Sequence, residues 1–202
     1  MSFRPNRRLV GASLAVLIAT PALALGMQDV VFDYRGVTVD TTAAPEGRRA
    51  EISAYLRQQI DLVESLKIKD DIKLWFRSVR ITVDPALNMP GRFGPNGLTM
   101  DDSVSPPENP VLLHELLHGY QARRLPGARN NPHLMAGFAQ ARASGDWPAQ
   151  AYMLSNINEF FAMTGSVALW GRAARPPLTR ERLRTALPDY YAWLVDEFGL
   201  EA

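Results

Sequence analysis

The chemistry-bearing residues of this 202-residue chain gather in one short segment, VLLHELLHGYQ, at positions 111–121. Within it stands His114-Glu115-x-x-His118. On a helix, positions i and i+4 share a face, so both imidazoles can reach a single ion. Glu115 then projects about 100° round from His114, beside such an ion rather than onto it. A zinc ion held by imidazoles brings the pKa of its water toward about 7, and a neighbouring carboxylate can take the proton. The plain alternative is an ordinary helix with two surface histidines. Against it, Leu112, Leu113, Leu116 and Leu117 make the segment apolar on every side. That pattern predicts a buried helix whose imidazoles need partners.

The rest of the composition narrows the chemistry. There is no cysteine, which excludes thiolate ligands, thiol catalysis and a disulfide framework. Histidine occurs only at 114, 118 and 133, so a four-histidine site is excluded as well. A catalytic zinc needs a third protein ligand and an open fourth position. The metzincin pattern would put Gly at 121 and His at 124, but Gln121 and Arg124 stand there. Four candidates remain: His133 in the turn-rich GARNNPH, Asp146, Asp189 and Glu159. Glu159 is the best of them. It lies among Ile157, Phe160, Phe161 and Val167, where a carboxylate is costly to bury unless paired or metal-bound. An arginine-paired helix glutamate is the alternative reading.

A HELLH helix followed by a glutamate on a later helix resembles the gluzincin (HExxH…E) zinc metallopeptidases. More narrowly, YMLSNINEFFA (152–162) resembles the Tyr-x-x-x-Asn-x-x-Glu-[Phe/Tyr]-Phe-Ala stretch of the anthrax lethal factor-like metallopeptidase domain family. The resemblance covers about residues 80–165. It implies a zincin-like α+β domain with one Zn2+ per chain, held by His114, His118 and Glu159. It implies that Glu115 is the general base, that Tyr152 donates a hydrogen bond to the developing oxyanion, and that the substrate is a protein or peptide. It further implies a sheet edge along which an extended substrate pairs, with Gly97–Met100 the candidate and Gly91-Arg92-Phe93 near it. Gluzincins commonly carry an acid four residues after the ligand glutamate. Met163 stands there, so the partner of a ligating imidazole must come from elsewhere, such as a backbone carbonyl or Asp101/Asp102.

The elements that must position these residues are legible in outline. Residues 29–39 read as a strand or hairpin, and Pro45–Leu66 as a helix with Ile52, Tyr55, Leu56, Ile60, Val63 and Leu66 at helical spacing. A short helix is expected at Asp71–Arg77 and strands at Val79–Val83 and Gly97–Met100, with 86–96 a turn-containing loop. Helices follow at 110–123, 134–144, 148–170 and 180–198, the last divided by Pro188. On a continuous 148–170 helix, Tyr152 and Glu159 stand two turns apart on one face. Strands early and helices late give an α+β domain, a small N-terminal sheet with a helical C-terminal part, rather than a wound βαβ sheet.

Residues 1–26 read as a secretory leader. Arg4, Arg7 and Arg8 precede an apolar stretch, Leu9–Ala19, and then Ala22-Leu23-Ala24. Cleavage is expected after Ala24, or as late as Gly26, leaving 25–202 as one domain that is exported, periplasmic or secreted, with no stable membrane span. The stretch is shorter than the roughly 20 residues that span a bilayer. Removing the leader's three arginines from the 22 Lys and Arg leaves nineteen against 21 acids. No electrostatic support for nucleic-acid binding remains. The expected activity is that of an exported zinc-dependent metallopeptidase; the alternative is an exported, non-catalytic zinc-fold binding or interaction protein. The oligomeric state is not readable from the sequence.

Overall fold

The computed structural model describes residues 30–106, 108–173 and 179–200. The leader expected at 1–24 lies outside these residues. The chain opens with a hairpin of β1 (Val31–Tyr34) and β2 (Val37–Asp40), turned at Arg35-Gly36, where both φ are positive. That geometry matches the right-handed twist of the strands it joins. Asp61 anchors the hairpin by accepting hydrogen bonds from the Tyr34 hydroxyl and the Arg35 guanidinium.

A 3-10 turn at Glu46–Arg48 leads into α1 (Arg49–Glu64), and α2 (Asp70–Arg77) follows. α1 buries Ile52, Leu56, Ile60 and Val63. β3 (Ile81–Val83) pairs parallel with β2, with Val39 opposite Ile81, so α1 and α2 form a crossover between parallel strands. The sheet thus contains one βαβ unit that the strands-then-helices order does not suggest. Residues 91–94, expected within a loop, form β4 (Gly91–Gly94), which hairpins with β5 (Gly97–Met100). β5 pairs parallel with β3. The order β1-β2-β3-β5-β4 puts β4, not β5, at the sheet edge.

The second half is helical. α3 (Val111–Arg123) runs through the centre of the molecule, with Leu112, Leu113, Leu116 and Leu117 all 3% exposed or less. Sheet and α1 cover one side of it. α5 (Ile157–Trp170) covers the other with Phe160 and Phe161. Such a helix, apolar all round, is stable only as a core element. α4 (Pro132–Ala143), α6 (Arg180–Ala186) and α7 (Pro188–Phe198) close over α5, the last two divided at Pro188 as expected. Tyr190 of α7 packs over Gly137 and against Phe160, and its hydroxyl pairs with buried Thr164. The result is an α+β domain in which one central helix is shared by the sheet layer and the helical layer. No described helix is long and apolar enough to cross a membrane.

Candidate metal centre and cleft

α3 begins at Pro110, which supplies no side-chain cap. Gln59 of α1, fully buried, takes that part: its amide donates to the Asn109 carbonyl at 3.0 Å and accepts from the Leu112 N–H at 3.2 Å. This satisfies backbone groups that a helix start leaves orphaned. One turn on, His114 and His118 point to the same side, their Nε2 atoms 3.1 Å apart. Glu115 is 8% exposed, and the nearest donor atoms of His114, Glu115 and His118 lie within 4.8 Å of one another.

The third group comes from α5. The stretch expected as one helix over 148–170 is broken. Residues Tyr152–Leu154 form a 3-10 turn, and α5 starts at Ile157 with Asn156 as N-cap. The Asn156 Oδ1 accepts from the N–H groups of Asn158 and Glu159. Glu159 is therefore the third residue of its helix. There an acid often reaches back to the cap N–H, but its carboxylate points across to α3. Its Oε2 lies 3.2 Å from His114 Nε2 and its Oε1 3.5 Å from His118 Nε2.

The two imidazole nitrogens thus lie 3.1 Å apart, with one Glu159 oxygen 3.2 Å from the first and the other oxygen 3.5 Å from the second. Neighbouring ligands of a tetrahedral zinc, at about 2.0–2.1 Å from the metal, are about 3.4 Å apart. Two imidazoles and a carboxylate bring their donor atoms toward one point, an arrangement that a cation stabilises. Buried Glu159 Oε2 has no hydrogen-bond partner despite its closeness to His114. Burial by itself would raise the Glu159 carboxyl, but polar contact with the two imidazoles and their charge outweigh it and hold the group well below the usual carboxylate range. For Glu115 burial dominates. It pushes that carboxyl up, with Glu159's charge adding and the imidazoles opposing. Two carboxylates one helix apart are thereby driven in opposite directions. The donor set fits zinc.

These residues line a cleft of about 640 Å³ together with Met89–Phe93, Gln121, Tyr152 and Asn158. Tyr152 reaches the cleft from its 3-10 turn, so it does not share a helix face with Glu159 as the continuous-helix reading required. His133, Asp146 and Asp189 are not part of the cleft. His133 stacks on Trp193 with ring centroids 5.6 Å apart. Neither Asp101 nor Asp102 partners the imidazoles: Asp101 closes a turn with Ser103, and Asp102 pairs with Arg48. The His114 Nδ1 has no hydrogen-bond partner among the described residues, and Met163 is buried in the core.

Two glycines seat β4 on α3. A Cβ at Gly91 would lie 2.6 Å from the Glu115 Cγ, and one at Gly119 would overlap the Phe93 ring. Arg123 adds a guanidinium over that ring and donates to the Gly94 and Pro95 carbonyls at 2.8 and 2.9 Å. Two residues of strand cover about 6.6 Å and four residues of helix about 6 Å. The edge strand therefore keeps step with the helix, Gly91 over Glu115 and Phe93 over Gly119. Sequence reading passed over Gly119 and Gln59. The glycine directly after the second histidine was the available signal for the first, and nothing local marks the second.

A search of solved structures finds a likeness to the Pro-Pro endopeptidase PPEP-2 from Paenibacillus alvei, with a TM-score of 0.51 and 16% identity. The match covers 80% of this chain and 97% of that one. At that identity it is a likeness of fold. No sequence-family description and no curated protein sequence matches the chain.

Proposed function

We propose that this chain is an exported zinc-dependent peptidase of the gluzincin type, related to the lethal factor-like metallopeptidases, with His114, His118 and Glu159 holding the metal. One observation carries the reading: a carboxylate from a separate helix meets both imidazoles of a His-Glu-x-x-His turn at 3.2 and 3.5 Å. The endopeptidase of similar fold supports it. A zinc ion bound there would supply Lewis-acid polarisation of a carbonyl and an acidified water.

The chain's own residues supply the rest. The unpaired edge of β4 offers backbone N–H and C=O groups to an extended peptide, so binding is tolerant of sequence. Glu115 accepts the proton of the attacking water and returns it to the departing nitrogen. Its raised affinity for protons, a result of burial, suits that two-way duty. The Tyr152 hydroxyl donates to the oxygen that gains charge as the carbonyl becomes tetrahedral. Leu112, Leu113, Leu116 and Leu117 keep the floor of the cleft rigid.

The test is a set of variants assayed for zinc content and for turnover of a pooled peptide library that includes Pro-Pro bonds. Glu115→Gln is expected to keep zinc and lose hydrolysis. Glu159→Ala is expected to lose zinc. Zinc-loaded wild-type protein that cleaves nothing in the pool would overturn the peptidase reading in favour of a binding protein.

A further inference from the structure

The cleft holds three arginine side chains at or beside its walls, and they are used unequally. Arg123 is spent on structure, covering Phe93 and tying down the β4–β5 turn. Arg92 and Arg129 line the cleft, are exposed, and make no ion pair, hydrogen bond or ring contact with any described residue.

Their placement is fixed by the backbone. Arg92 sits on β4 between Gly91, which rests on Glu115, and Phe93, which rests on Gly119. It is thus one strand position from the residue facing Glu115, and by strand alternation its side chain leaves the opposite face of β4 from Gly91 and Phe93, at the rim of the cleft it lines. Arg129 lies past the C-terminal end of α3, in the 3-10 turn Ala128–Asn130. That turn is entered through Gly127 and Ala128, both at positive φ, 76° and 47°. A left-handed alanine is strained. Hydrogen bonds from Ala128 N to Leu125 O, Asn130 N to Gly127 O and Asn131 Nδ2 to Pro126 O hold the turn. Arg129 is therefore presented from a pinned support.

Among the described residues, the only acids lining the cleft are Glu115 and Glu159, both at the candidate metal centre. A divalent cation held there would offset those two carboxylates, leaving two guanidiniums without counter-charge along the path beside β4. Exposed arginines on a protein surface usually have acids near them; this cleft supplies none beyond its centre. Long-range attraction and close forked hydrogen bonding both favour carboxylates at these points.

We propose that the cleft selects peptides with acidic side chains flanking the scissile bond, one read by Arg92 beside the metal centre and one by Arg129 at the end of the α3 floor. The inference rests on the peptidase reading above and deepens it.

The experiment separates the two. Zinc-loaded full-length Glu115→Gln protein is incubated with a capped random-sequence peptide pool, and bound peptides are sequenced. Paired synthetic peptides carrying Glu, Ala or Lys at the enriched positions are then titrated by fluorescence anisotropy. Acidic residues are expected to be enriched, with the Glu peptide binding about tenfold tighter than the Lys peptide at low salt and losing that advantage at high salt. Arg129→Glu and Arg92→Glu, checked for unchanged zinc content, should each reverse the preference at one position. Enrichment without acids, an advantage unaffected by either substitution, or no peptide bound at all would overturn the proposal. Turnover of the same pool by wild-type protein reports separately on the peptidase reading: cleavage without acid preference sinks this inference and leaves that one standing.

Discussion

Gly91 and Glu115 show how little room the centre has. The carboxylate lies against a backbone without a side chain, so any Cβ at Gly91 must move it. If Glu115 is the base of the proposed peptidase, Gly91→Ala is expected to lower kcat about tenfold or more, since a displaced base loses the alignment on which proton transfer depends. KM should change less, and zinc content should stay at the wild-type level, because the atoms nearest that site belong to Glu115 and Met100. A kcat equal to wild type would show that Glu115 adjusts freely. The residue scale was also the most legible in sequence. His114, Glu115 and His118 announce themselves by spacing alone, and Glu159 stands out as an acid in an apolar run. The cradle around them did not, because a glycine that makes room for a distant side chain looks like any loop glycine.

Helix starts decide whether those residues meet. Asn156, just past the 3-10 segment, launches α5, so that Glu159 falls on the first turn facing α3. Asn156→Ala should cost about 1 kcal/mol of stability, as lost caps do, and should weaken zinc binding as well. Thermal unfolding and a chelator competition would read the two effects. Gln59 plays the matching part for α3. Its replacement by Ala leaves the Leu112 N–H unmatched in a dry interior, an expected loss of about 1–3 kcal/mol. Both elements were foreseen only in part. The apolar runs located α1 and α3, because burial imposes their periodicity, although α1 starts at Arg49 after a 3-10 turn and not at Pro45, and Pro188 itself marked the division of the last helix. The start of α5 was misplaced because residues 148–156 are no less compatible with a helix locally. The Asn156-x-x-Glu159 spacing was the sole hint of where it begins. The edge strand β4 was hidden by Gly91, Gly94 and the adjacent prolines, which read as a turn and whose pairing with β5 only the tertiary structure reveals.

Across the whole molecule, the candidate metal centre joins the layer built on α1 and the sheet to the layer built on α5. Ligand binding restricted to the folded state adds stability by mass action, about 4 kcal/mol at a thousandfold excess over Kd. Zinc should therefore raise Tm of wild-type protein and leave that of Glu159→Ala unmoved. Acid should act through a different pair. Arg77 hydrogen-bonds Glu64 and holds its carboxyl below the usual value, against the opposing effect of burial. The folded state thus binds that proton less readily than the unfolded chain. The contribution is complete above the unfolded value near 4.5 and fades as pH falls through the lower folded one. Glu64→Gln should unfold more easily than wild type at neutral pH, and the gap should close in acid; a gap constant from pH 7 to 3 would refute the assignment. The β4 edge carries one more consequence. A bare row of backbone groups invites a neighbouring molecule to join the sheet. Pro90 and Pro95 bracket the strand, and neither has an N–H to offer. Only a short stretch of incoming chain can be zipped on before the template ends. The same two prolines that limit a guest to a few residues would thus guard against runaway fibril growth, and replacing both should make concentrated solutions turn cloudy sooner.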